Sequence, residues 1–256
     1  MKNKRRRRIK IFLILLIGIG LTFGSFCQIF VSKDTKTDVT RNGSSDANVV
    51  WGNISDIFGG SSSESNSAAT DWYLLLVNPW NAVPDDFSVK LKKLKNGHAI
   101  DERAYPDLQA MMDAARAEGL SPLICSSYRT NEKQTTLYNN EVKKYLSQGY
   151  SQTDAEAQAR KWVAYPGTSE HQTGLAVDIV SASYQLLDKK QESTPEQKWL
   201  MENSYKYGFI LRYPNEKSEI TGIYYEPWHY RYVGKEVAKE IHDKGICLEE
   251  YLKKER

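Results

Sequence analysis

The chain is predicted to fold as an α+β domain, an antiparallel sheet with flanking helices, and three features of its sequence predict this. Helical and strand-like segments are mixed without a regular strand–helix alternation, the strand-like runs are short, and no internal repeat is present. A doubly wound parallel sheet needs that alternation, so the sheet should be antiparallel.

The folded body begins near Asp71. Trp72 to Val77 is an apolar run closed by Asn78-Pro79, which reads as a strand, and Leu91 to Leu94 continues in mixed character. Ala104 to Glu118 reads as a helix: Pro106 suits its first turn, Leu108, Met111, Met112 and Ala115 recur at helical spacing, and Gly119 supplies the stop. Leu120 to Ser127 reads as a buried strand that empties into Tyr128-Arg129-Thr130. Asn131 to Ser147 is helical, and Thr153 to Val163 opens with the capping-box pattern Thr153-x-x-Glu156. Thr194, Pro195 and Gln197 start a further helix in the same way, with Gly208 closing it. Phe209 to Arg212 and Trp228 to Val233 read as strands, and Lys235 to Lys244 as a helix stopped by Gly245.

Upstream of this body the composition changes twice. Seven of the first ten residues are basic and none is acidic, so the net charge of +3 leaves −4 for the rest of the chain. A mildly acidic body with its positive charge at one terminus argues against a nucleic-acid-binding face. Residues 11–31 form an uncharged run, long enough at about 1.5 Å per residue to cross a ~30 Å hydrocarbon core. The expectation is a cytoplasmic basic segment (1–10), a transmembrane anchor or uncleaved signal (11–31), and a catalytic body on the outer side of the cell membrane. A cleaved signal peptide is the alternative, but the run is long for one and no clear cleavage site follows. Residues 32–70, rich in Ser, Asp, Asn, Thr and Gly, read as a flexible linker spanning roughly 35 Å. Of three cysteines, only Cys125 and Cys247 lie in the body, so no disulfide framework is implied, and whether they pair is open.

Four histidines are present. His171 is followed seven residues later by Asp178, the only charged side chain in the apolar run Ala176 to Val180. The odd separation would put the two on opposite faces of one straight strand, so they converge only if Gly174 bends the chain. Glu226 and His229, three residues apart with Pro227 between them, fit a turn leading into a strand better than a helix interior. Two imidazoles and two carboxylates are the set that a zinc hydrolase uses: three ligands, and one carboxylate to take a proton from water. Taken singly, each has an ordinary reading too. Asp178 fits a buried hydrogen-bond acceptor, His171 and His229 fit core or half-buried histidines, and Glu226 a surface acid. His98, in an Asn96-Gly97 turn, and His242, on a Lys/Glu-rich helix, read as solvated.

SEHQTGLAVD and EPWHYRYVG together match an S-x-H-x-x-G-x-A-x-D motif and an E-x-W-H motif. With these, and with CSSYRTNEKQ, LLVNPWN and RYPNEKSEITG, the stretch from Trp72 to Gly234 resembles the zinc-dependent D-alanyl-D-alanine carboxypeptidases of the VanY type, which have a hedgehog-like zinc peptidase fold. The resemblance implies a single zinc carboxypeptidase domain over residues 71–256, with Zn2+ held by His171, Asp178 and His229 and Glu226 as catalytic base. It implies that Arg129 stabilises the oxyanion and that Ser169, Gln134 and Ser127 line the substrate pocket. Trp228 is expected to wall the pocket or pack in the core. The implied substrate is a peptidoglycan stem peptide ending in D-Ala. The same chemistry with L,D specificity on tetrapeptide stems, or a non-catalytic zinc-binding module, are the alternatives, and the motifs leave open a role in wall maintenance or in antibiotic resistance.

Overall fold

A computed structural model describes residues 71–254, and the segments expected at 1–10, 11–31 and 32–70 lie outside the described residues. Among the described residues no helix is long and apolar enough to cross a membrane.

Strands β1 (Leu91–Lys93) and β2 (Ala99–Asp101) form a two-stranded antiparallel pair. Strands β3 (Pro122–Ser126), β4 (Ala176–Ser181), β5 (Phe209–Leu211) and β6 (His229–Tyr232) form a four-stranded sheet in the order β3-β4-β6-β5, with every pairing antiparallel. This is the expected α+β architecture.

Side chains alternate across a strand, and here the alternation separates packing from chemistry. Val177 and Ile179 of β4, Tyr230 and Tyr232 of β6, Ile124 of β3 and Phe209 of β5 share one core. Helix α1 (Tyr105–Ala117) brings Leu108, Met111, Met112 and Ala115 to that core. Helices α2 (Asn131–Ser147) and α3 (Gln152–Ala159) pack on each other around Tyr138, Val142, Ala155 and Ala159. Helix α4 (Pro195–Asn203) adds Trp199 and Leu200 to the sheet core. Each large apolar side chain buried this way stabilises the fold by about 1.5–3 kcal/mol. Residues of the opposite parity, Asp178, His229 and Arg231, therefore share the other face of the sheet. That face is covered as well, since all residues of β4 and β6 are buried. Helices α5 (Ser218–Thr221), α6 (Lys235–Lys244) and α7 (Leu248–Lys254) complete the chain, with Val237, Ala238, Ile241, Leu248 and Tyr251 in a second core.

The helix signals hold where a side chain supplies the missing acceptor. Thr194 accepts from Gln197 N at 3.2 Å with Pro195 in the first turn of α4, and Gly245 ends α6 at φ +60°. Two expectations are corrected. The capping box at Thr153 lies inside α3, because Ser151 two residues earlier already caps the helix by accepting from Asp154 N. The strand expected over Trp72 to Val77 is absent: Asp71–Tyr73 is a turn of 3-10 helix and no ladder follows. The carbonyls of Tyr73 and Leu75 accept from Nη2 of buried Arg231, so backbone groups that would have sought a neighbouring strand find a guanidinium.

Candidate metal centre

Strand register builds the first half of the centre. Asp178 of β4 pairs with His229 of β6 on one side and with Ser126 of β3 on the other, and residues directly opposite in a ladder share a face. His171 arrives from the 3-10 turn Glu170–Thr173 that precedes β4. Between them Gly174 adopts φ +73°, and a Cβ there would meet the backbone nitrogen of Asp101 at 3.1 Å and Leu91 Cδ2 at 3.2 Å. A left-handed conformation and a close approach together call for glycine at this bend.

The donor atoms converge. Nε2 of His171 lies 3.3 Å from Asp178 Oδ2, and Nδ1 of His229 lies 3.1 Å from Asp178 Oδ1. All three residues are buried, and one donor atom from each falls within 4.8 Å of the others. Nδ1 of His171 is 2.8 Å from the Ser127 carbonyl, which only accepts, so Nδ1 carries the hydrogen and Nε2 turns a lone pair to the centre. Asp178 Oδ1 is buried without a hydrogen-bond partner, an arrangement that costs free energy unless a cation meets it. A tetrahedral ion with bonds of about 2.0–2.1 Å holds its donors about 3.3 Å apart, and each imidazole comes that close to one of the two Asp178 oxygens. Two imidazoles and a carboxylate at this spacing fit zinc with a coordination position left for a small ligand.

Glu226 stands beside this set, its Oε2 3.6 Å from His229 Nδ1. With only the protein's own charges acting, burial pushes the Glu226 carboxyl up to about 8, helped by Asp178 and opposed by His229 and Arg129. Burial lowers His171 to about 4, and Arg129 adds to that effect. Burial also disfavours the charged form of His229, but the carboxylates of Asp178 and Glu170 outweigh it and raise its pKa to about 9. Asp178, although desolvated, is held well below the usual carboxylate range by His171 and His229.

Arg129 borders the donors. Its Nη2 donates to Ser126 Oγ at 2.7 Å and lies 3.5 Å from Asp178 Oδ2, while Nη1 donates to Gln134 Oε1 at 2.9 Å. Its backbone nitrogen donates to the His171 carbonyl at 3.0 Å, so the loop and the ligand turn are tied together. Gln134 is fully buried and also donates Nε2 to the Ala164 carbonyl at 2.7 Å, so both ends of its amide are used within the protein. Gln134 thus stands next to Arg129 and holds its guanidinium. Ser127 is also buried: its hydroxyl accepts from Ala99 N and its carbonyl faces His171. Ser169 is buried one residue before Glu170, and Trp228 is buried with its carbonyl accepting from Ile179 N.

His98, expected in solvent, is half-buried, and the attraction of Asp178 partly offsets the lowering of its pKa by burial. His242 lies far along the chain on α6, partly exposed and stacked on Tyr205 at 3.8 Å. Cys125 and Cys247 stand as separate thiols. Sequence reasoning missed Glu170, Arg212, Arg231 and Glu249, an ion cluster buried directly behind His229. The one available signal was that Arg231 shares the parity of His229 on a strand whose other face is aromatic.

A family model described as D-alanyl-D-alanine carboxypeptidase, VanY, matches residues 97–235. A D-alanyl-D-alanine carboxypeptidase of Enterococcus faecalis (strain ATCC 700802 / V583) is 48% identical over 203 residues, covering 75% of this chain and 73% of the relative. The solved structure of VanYB in complex with D-alanine-D-alanine superposes with a TM-score of 0.67 at 50% identity, covering 72% of this chain and 99% of that one. A glutamate-to-alanine variant of the vancomycin-resistance D,D-pentapeptidase VanY, solved with Zn(II), gives a TM-score of 0.65 at 50% identity, over 71% of this chain and 99% of that one.

Proposed function

This chain belongs to the VanY family of D-alanyl-D-alanine carboxypeptidases, and on that premise we propose which of its residues carry the reaction. It is a zinc-dependent D,D-carboxypeptidase of the hedgehog-like peptidase fold. His171, Asp178 and His229 hold the zinc. The observation that carries this assignment is their buried convergence, with one donor atom from each of the three residues within 4.8 Å of the others. Bound there, zinc supplies Lewis acidity: it makes a water molecule acidic near neutral pH, polarises the scissile carbonyl and favours the ionised form of Glu226.

Glu226 is the general base. Its carboxylate takes the proton from the attacking water and delivers it to the departing amine, so one group serves both transfers. The guanidinium of Arg129, held by Ser126 and Gln134, stabilises the negative charge that develops on the carbonyl oxygen. Gln134 supports Arg129, and Ser127 orients His171 through its carbonyl. Ser169, buried one residue before Glu170, is assigned to the substrate pocket, and buried Trp228 to packing.

The substrate is a peptidoglycan stem peptide ending in D-Ala-D-Ala, and the product is free D-alanine. The D-alanine-D-alanine complex of the half-identical VanYB supports this choice over the L,D alternative. The full chain incubated with stem pentapeptide and tetrapeptide is expected to release D-alanine from the pentapeptide. Release from the tetrapeptide alone would overturn the D,D assignment. We further propose that the uncharged run 11–31, preceded by basic residues and followed by the polar 32–70 segment, anchors the domain at the outer face of the cell membrane, where that substrate lies.

Zinc binding should be strongly pH-dependent. His229, near 9, is protonated on both nitrogens at neutral pH when only the protein's charges act, and Glu226, near 8, is largely protonated too. Binding must displace the His229 proton and favours loss of the second, whereas His171, near 4, has none to lose. Affinity should therefore rise about 10- to 100-fold per pH unit between pH 6 and 7.5, for one to two protons released. Competition with a chromophoric chelator at several pH values measures the slope, and a flat profile would contradict the ligand assignment.

A further inference from the structure

We propose that Glu170 is a positioning residue for the metal centre: its carboxylate fixes the tautomer and ring orientation of His229, so that Nδ1 is the donor atom. The inference rests on the ligand assignment above. Glu170 is 1% exposed. Its Oε1 accepts from Arg212 Nε at 2.6 Å and from Arg231 Nη1 at 2.7 Å, while Oε2 faces His229 Nε2 at 3.3 Å. A carboxylate held by two guanidinium groups is ionised and can only accept, so Nε2 of His229 must keep its hydrogen, and the proton that a metal displaces is the one on Nδ1. A metal that displaces the Nδ1 proton therefore meets the Nδ1 lone pair, on the side where Asp178 Oδ1 lies 3.1 Å away.

The clamp is itself braced. Arg212 donates Nη1 and Nη2 to the two oxygens of Glu249 at 2.9 and 2.6 Å, and Asn78 Nδ2 donates to Glu249 Oε1 at 3.1 Å. Arg231 spends its remaining donors on the carbonyls of Tyr232, Tyr73 and Leu75. Two carboxylates and two guanidinium groups cancel, so the cluster stays buried without net charge and Glu170 cannot swing away. The two histidines are thus oriented by different devices. His171 gives its spare hydrogen to a neutral carbonyl, whereas His229 gives its own to an ionised carboxylate, which makes its ring the stronger donor.

Glu170→Gln keeps the shape and removes the charge. Zinc affinity of the full chain, read by competition with a chromophoric chelator, is expected to fall about 10- to 100-fold, and the visible bands of the cobalt-substituted protein should shift. Glu249→Gln takes a carboxylate from the same Arg212 without touching His229, and should hold zinc affinity within about threefold of the parent. Equal affinity in Glu170→Gln and the parent, or an equal loss in both variants, would overturn the proposal. Because removing a buried ionic partner can unfold the chain, the unsubstituted protein provides a second reading. In the zinc-loaded, 15N-histidine-labelled full chain, His229 should show a protonated Nε2 and a metal-bound Nδ1, and His171 the reverse. Metal on Nε2 of His229 would refute the role of Glu170 alone, whereas a parent that binds no zinc would remove the ligand assignment with it.

Discussion

Glu226→Gln is expected to lower kcat for D-alanine release by about 10²–10⁴-fold, the range for loss of a general base, while the bound zinc is retained. Glutamine has the shape of the glutamate but cannot accept the proton of water, and Glu226 is not among the three residues whose donor atoms converge. In the metal-free protein the same substitution should leave stability equal or raised. A carboxyl whose folded pKa lies above its unfolded value disfavours folding as pH rises above that unfolded value, and Glu226 is pushed up to about 8. A neutral amide removes that cost. Activity measured with zinc content, and a melting curve of the chelated protein, separate the outcomes: inactive, zinc-loaded, and at least as stable as the parent once chelated is the expected result. A variant within tenfold of the parent rate would show that another group takes the proton.

Arg129→Met is expected to cost about 10²–10³-fold in kcat with a smaller change in KM, because a group that meets the oxyanion acts in the transition state more than in the ground state. Part of any stability loss will have another origin. Ser126 Oγ and Gln134 Oε1 both accept from this guanidinium, and a buried acceptor left without its donor costs about 1–3 kcal/mol. The split between kcat and KM in the folded fraction is therefore the informative reading. A loss confined to KM would make Arg129 a binding residue only.

The parts of this site that could be read from sequence are those set by local rules. Gly174 was legible because an odd separation between His171 and Asp178 demands a bend, and glycine is the residue that bends at φ +73°. The turn that brings Glu226 close to His229 followed from Pro227, and the strand at His229 from the alternation with Tyr230 and Tyr232. Which strand Asp178 pairs with is a long-range fact: the rung that joins it to Ser126 and His229 is set by the order of the sheet. The same limit hid the Glu170 cluster. Arg212, Arg231 and Glu249 are scattered over the last third of the chain, and a charged residue reads as solvated until its buried partner is known. It also misplaced His98, whose turn looked exposed until β1 and β2 brought it towards Asp178. The Trp72 to Val77 run failed for a related reason, since a distant arginine supplied the backbone partners that a neighbouring strand would have given.

The central claim is that a metal held by His171, Asp178 and His229 drives removal of the terminal D-alanine. It is tested most directly by D-alanine release from a stem pentapeptide by the full chain as prepared, after chelation, and after zinc is returned. The account predicts release that is lost on chelation and restored by zinc; release indifferent to the chelator would contradict it.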